Sequence, residues 1–175
     1  MYSRPGGNWW LHWRDHYEEN SPADDNSFQV NGTSPFFNEK YGKTFHSTFA
    51  RLLYIGKRAI PDIQLPVGFL GTRVVCPTEE DWKRLQCALE CLNSTINIPL
   101  KLGMSDISIV SWWVDIFYGV HVGVKSHTSG VVYMGKGCLY STSRKQKLNT
   151  ICSTESKLVG ISDILHAITW DKMYV

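Results

Sequence analysis

The spacing of apolar residues changes twice along this chain, and the changes divide it into three stretches. In the first, Trp9, Trp10, Trp13 and Tyr17 form a short aromatic stripe at helical spacing. Glu18 to Pro35 is mostly polar, with Pro22 inside it, and predicts a loop or disordered segment. Residues 1–36 are therefore expected to be a poorly ordered leader. In the second stretch, Phe45, Phe49, Leu52 and Leu53 make one face of a helix over Phe45–Gly56. Another helix is expected to start at Pro61, where the missing N–H costs little, and to run towards Val75 with Pro66 kinking or shortening it. The third helix has the clearest start: Thr78 as N-cap, then Glu79, Glu80 and Asp81 where the helix dipole favours negative charge. Trp82, Leu85, Leu89 and Leu92 follow as its apolar stripe.

After Pro99 the period shortens to that of strands. Ile107–Ile116 is strongly β-prone, with Ile109 and Trp113 on one face and Val110, Trp112 and Val114 on the other. So little polar relief predicts a strand buried on both faces and central in its sheet. Gly130–Met134 and Cys138–Thr142 flank Gly135-Lys136-Gly137, a hairpin signal. Ser153 is expected to cap a last helix whose stripe is Leu158, Ile161, Leu165 and Ile168. The expected fold class is α+β: a helical unit over residues 37–103, then three antiparallel strands and a helix over 104–175.

Composition narrows this picture only a little. The 175 residues fit one ordinary domain or two small units, and 43% hydrophobic residues can fill a core. A net charge of +2 is too mild to announce nucleic-acid binding by itself. The first residues carry Arg4, Pro5, Gly6 and Gly7 but no apolar h-region, and the apolar run around Trp112 is stopped by Asp115. The expectation is a cytoplasmic or nuclear chain, neither secreted nor in a membrane. Five cysteines, an odd number without framework spacing, suit a reducing compartment. Cys87 and Cys91 stand at helical spacing without a CxxC pair or a His partner and are read as buried or idle thiols. His12 and His16 lack the Glu of a zincin helix and are read as surface residues. The sequons at Asn31 and Asn93 are read as chance.

Asp115 is the most informative single residue. A carboxylate closing a doubly buried strand carries a desolvation penalty unless it is paired or bound to a cation. The plainer alternative is an Asp that bonds neighbouring backbone N–H groups, and position alone leaves both open. Lys125, Lys136, Arg144, Lys145, Lys147 and Lys157 cluster in the C-terminal part, diluted by Asp106, Glu155 and Asp163. Such a cluster either contacts a phosphate backbone or rims a hairpin in solvent.

Trp112-Trp113-Val114-Asp115, Gly119-Val120-His121 and Lys125-Ser126-His127-Thr128 resemble the first strand and turn of the copia-type retrotransposon ribonuclease H domain. Tyr140-Ser141, Lys145 to Thr150, Ser153-Thr154-Glu155 and Leu158-Val159-Gly160 continue that resemblance in order. Upstream, Phe45-His46-Ser47-Thr48, Leu52-Leu53-Tyr54, Pro61-Asp62-Ile63 and the helix led by Thr78 resemble the region connecting that family's polymerase palm, or its thumb, to the nuclease. The resemblance covers residues 37–175. It implies an incomplete ribonuclease H-like fold in a fragment of a reverse transcriptase/ribonuclease H polyprotein. Family members cut the RNA strand of RNA–DNA hybrids with two Mg²⁺ ions held by clustered carboxylates. Asp115 matches the first metal ligand. The second ligand position is Lys157, whose ammonium repels Mg²⁺, and Glu155 lies roughly 200° away around the helix. The third and fourth ligands fall beyond Val175. Ile116 and Phe117 replace the usual small residues. The resemblance thus implies one carboxylate of the metal set, no catalysis by this chain alone, and no Mg²⁺ bound.

Further implications are weak hybrid binding through Lys125, Arg144, Lys145 and Lys147, and self-association through an unpaired sheet edge. Two alternatives stand beside the inactive fragment: part of an intact reverse transcriptase–ribonuclease H enzyme, or a domesticated non-catalytic module that binds nucleic acid or protein.

Overall fold

The computed structural model describes residues 22–23, 28–36, 39–104 and 109–174. The aromatic stripe of Trp9 to Tyr17 lies outside the described residues.

Helix α1 spans Glu39–Arg58, longer than its apolar face suggests at both ends, with Lys57 and Arg58 in a last turn that favours cations. A single 3-10 turn at Pro61–Ile63 runs into helix α2, Gln64–Leu70. Pro66 is the third residue of α2, within the first turn, where a helix tolerates proline. Turns, rather than more helix, carry the chain from Gly71 to Val75, correcting the expected extent.

Helix α3, Glu79–Thr95, starts as its sequence predicts. The Thr78 side chain accepts from the Asp81 N–H, and the Asp81 carboxylate accepts from the Thr78 N–H, a reciprocal capping box. Asp81 is 1% exposed and also accepts from Arg73 (3.2 Å) and Arg84 (3.2 Å). The buried face of α3 runs through Leu85, Ala88 and Cys91, while Leu89 is exposed. Phe45, Leu52, Ile63, Val67, Phe69, Leu70, Leu85 and Ala88 form one core. Phe28 and Val30 from the polar N-terminal stretch pack against it. Residues 28–36 are thus held in place. Phe36 bridges to Thr78, and the Glu79 N–H donates to the Pro35 carbonyl at 3.2 Å.

The sheet is an antiparallel meander of β2 (Ser111–His121), β3 (Lys125–Tyr133) and β5 (Cys138–Asn149), in that spatial order. Two-residue strands β1 (Gly103–Met104) and β4 (Gly135–Lys136) pair beside it. Helix α4, Ser153–Tyr174, follows, so the α+β architecture of helices, three antiparallel strands and a helix stands as the sequence predicts. The position of β2 differs from expectation. It starts at Ser111, not near Ile107, lies at an edge with β3 central, and alternates exposed with half-buried residues instead of being buried on both faces. The reason lies in its layers: Trp112, Val114 and Ile116 turn to α4, whereas Trp113 (51% exposed) and Asp115 turn to the other face.

Helix α4 seats on the sheet through small residues. A Cβ on Gly160 would stand 2.6 Å from the Ile116 side chain, and one on Gly130 of β3 would stand 2.5 Å from Ile164. Buried Gln146 donates to the Thr128 hydroxyl (2.9 Å) and the Ser156 carbonyl (3.0 Å), fixing the start of the helix. The seated face is therefore Ser156, Gly160 and Ile164. Leu158, Ile161 and Leu165 are exposed and Ile168 half-buried, so the expected stripe is displaced. Close approach selects the smallest residues, and the larger ones are left on the flank and the outer surface.

The opposite face of the sheet receives α2. A Cβ on Gly68 would stand 2.6 Å from the Ser143 carbonyl oxygen, so glycine is what allows this helix to lie on β5.

Candidate functional site

Asp115 is the fifth residue of β2, exposed, and one of its oxygens accepts from the Ile116 N–H at 2.9 Å. That is the plainer of the two roles its position allows. Its face is opposite α4, the helix that bears Lys157, and Lys157 is exposed. Glu155 caps the turn before α4, accepting from the Ile151 N–H at 2.7 Å. Among the described residues no group of three His, Cys, Asp or Glu side chains could hold a metal ion. Asp115 and Lys157, the two positions at which the resemblance would place metal ligands, lie on different sides of the sheet and do not fit together around one pair of metal ions.

Arg144 and Lys145 do not line one surface. Arg144 turns to α4, where it donates to the Asp163 carbonyl and approaches its carboxylate at 3.9 Å. Its neighbour Lys145 is half-buried on the α2 side. Lys125 donates to the Lys147 carbonyl at 2.8 Å, and Lys147 is exposed. Consecutive strand residues point to opposite faces, so the Arg144-Lys145 pair cannot grip one phosphate backbone together.

Where α2 meets the sheet, two histidines form a polar chain that the motifs did not announce. His121 closes β2, His127 lies in β3, and they are 6% and 0% exposed. His121 Nε2 lies 2.8 Å from His127 Nδ1, and His127 Nε2 lies 2.6 Å from Ser143 Oγ. Ser129 donates to Ser143 at 3.4 Å. Phe69 stacks on His121 (centroids 5.9 Å apart, 15° between planes), and Phe28 meets both imidazoles edge-on at 5.5 and 5.1 Å. Burial, with Lys145 nearby, lowers His121 to a pKa of about 4. Burial, with His121 beside it, lowers His127 to about 3. Both rings are therefore neutral in the folded protein near pH 7.

Sequence reading missed this pair because its contact depends on an irregularity. The register shifts between Phe117 and His121, and Gly119 has a positive φ of 65°. A plain hairpin pairs His121 with Lys125 and His127 with Phe117, as the ladder records, without hinting that the two rings meet. The available signal was two His six residues apart across a Gly-containing turn.

Fold and site together define an α+β protein with an antiparallel meander between two helical layers, and without an assembled metal centre among the described residues. No family model and no solved structure matches the chain. Secreted RxLR effector protein 161 of Plasmopara viticola is similar to it, 24% identical over 125 residues that cover 71% of this chain and 88% of that protein. That relative is secreted, by its name, and this overturns the expectation of a cytoplasmic or nuclear, non-secreted chain. Among the described residues no helix is long and apolar enough to cross a membrane.

Proposed function

We propose that this chain is a non-catalytic piece of a copia-type reverse transcriptase/ribonuclease H polyprotein, acting through its surfaces and not through a metal centre. The supporting observation is the order of elements after residue 110: three antiparallel strands, then a helix seated on them, with Asp115 on the first strand and Lys157 at the second ligand position. The purified chain should leave a labelled RNA–DNA hybrid intact in Mg²⁺ or Mn²⁺, and Lys157→Glu alone should not restore cleavage. Hybrid cleavage that disappears in Asp115→Asn would overturn this reading in favour of an intact enzyme. Any hybrid binding should be weak and fall as salt rises.

A binding role for the edge of β2 belongs to the same proposal. That strand carries one charged residue, Asp115, and no proline, so the edge left unpaired among the described residues is little protected against pairing. Arg144 of β5 reaches Asp163, which sets one flank of α4 over β5 and the opposite flank, with Ile161, over the free edge of β2. The edge, Trp113 and this apolar flank together invite a second copy. Size-exclusion chromatography with light scattering should find dimers or larger species. Trp113→Lys combined with Ile161→Lys should shift them to monomer. A sharply melting wild-type monomer would rule the edge out.

The effector-like relative favours a second reading, a secreted binding protein, since the match spans most of both chains. Recovery of the intact protein from culture filtrate of its source, against its absence there, separates the two.

A further inference from the structure

We propose that His121, His127 and Ser143 form an acid-sensitive latch that holds α2 and the Phe28 segment against the sheet. The latch stands on the geometry of its hydrogen bonds. Two imidazole nitrogens 2.8 Å apart need one N–H and one bare nitrogen between them. Protonating both rings turns that contact into two opposed N–H groups, and the rings must separate. They cannot separate in place, because Phe69 stacks on one, Phe28 abuts both, and Ser143 is pressed under Gly68.

Among the described residues, none gives an imidazolium here a free counter-charge. Helix α2 carries no acidic or basic residue, and the segment from Phe28 to Phe36 carries no ionisable side chain. From α3, Arg84 stands 5.4 Å from the Phe69 ring, and the acids bonded to it, Glu80 and Asp81, are engaged by that cation. From β5, Lys145 pairs in register with His127; from β3, Lys125 pairs with His121 and bonds the carbonyl of Lys147. On β2 itself Asp115 shares the face but is exposed, with Phe117 between it and the pair along that face.

The sign follows from linkage. Both groups have folded pKa values below the unfolded 6.5, so the unfolded chain binds protons first as pH falls. Their contribution to stability is full above pH 6.5 and is lost progressively from there, through the His121 value near 4, towards the His127 value near 3. Between pH 7.5 and 5 the melting temperature of the full chain should fall by about 10 °C more than that of the double variant His121→Asn, His127→Gln. Parallel pH profiles for the two proteins would overturn the latch. If the double variant does not fold, imidazole C–H resonances of the wild type decide. They should stay at neutral positions until the layers open cooperatively. Either ring titrating near pH 6.5 while Phe28 and Phe69 keep their contacts would also overturn it.

Discussion

Phe69→Ala should cost the fold about 3–5 kcal/mol, the usual range for emptying a buried aromatic site. Phe69 is 1% exposed and sits where three layers meet. It lies edge-on to Phe28 at 5.4 Å, stacks on His121 and faces the Arg84 guanidinium. Truncation leaves a cavity bounded by α2, α3 and the sheet, and those elements cannot all close over it. Urea unfolding should show the midpoint falling with little change in slope. Leu158→Ala on α4 is the informative comparison, because apolar periodicity alone ranks Leu158 as a core residue. At 66% exposed, its truncation should change stability by no more than about 0.5 kcal/mol. Equal losses for the two variants would mean that α4 is rotated from the seating described.

Asp81→Ala should cost about 3 kcal/mol, more than a helix cap alone contributes. The carboxylate is buried, closes the capping box with Thr78 and receives both Arg73 and Arg84. Without it, Arg73 and the buried Thr78 N–H lose this acceptor, and Arg84 is left with Glu80 and the Gln29 carbonyl. Asp81→Asn keeps an acceptor oxygen but no charge and should fall between the two. Thermal melting monitored by circular dichroism should record a drop of roughly 10 °C for alanine. A change below about 1 kcal/mol would show that the two arginines find water or Glu80 at little cost.

Much of the fold could be read from local chemistry, and the reasons are visible in particular residues. Thr78 through Asp81 announces a helix start because capping is decided within four residues. The glycines around Lys136 announce a chain reversal for the same local reason. What sequence did not disclose depends on which elements touch. The large apolar residues of α4 have helical spacing, yet its seat is made by Ser156, Gly160 and Ile164, since Gly130 and Gly160 let helix and strand approach closely. Phe28 sits in a polar stretch and carries no periodic signal, although it is the residue that covers both histidines. Asp115 was legible as unusual; its exposure was not, because that follows from β2 lying at an edge. Apolar periodicity and turn signals over residues 104–175 predicted the order of the elements and did not disclose the histidine chain.

In the three-stranded sheet each strand pairs with its neighbour in sequence, so spatial order follows chain order. That ordering divides the search for the native state unequally. The ladder from Ser111 to Asn149 closes short loops and the seating of α4 on β2 and β3 closes intermediate ones, and contacts of lower sequence separation form faster. Bringing Gly68 onto Ser143 closes a far longer one, and Phe28 reaches His127 across a longer span still. The meander and its helix can therefore assemble first, leaving the α2 side of the sheet open, with His127 and Ser143 still wet. Arrival of α2 then converts a water-filled face into a dry joint in one step.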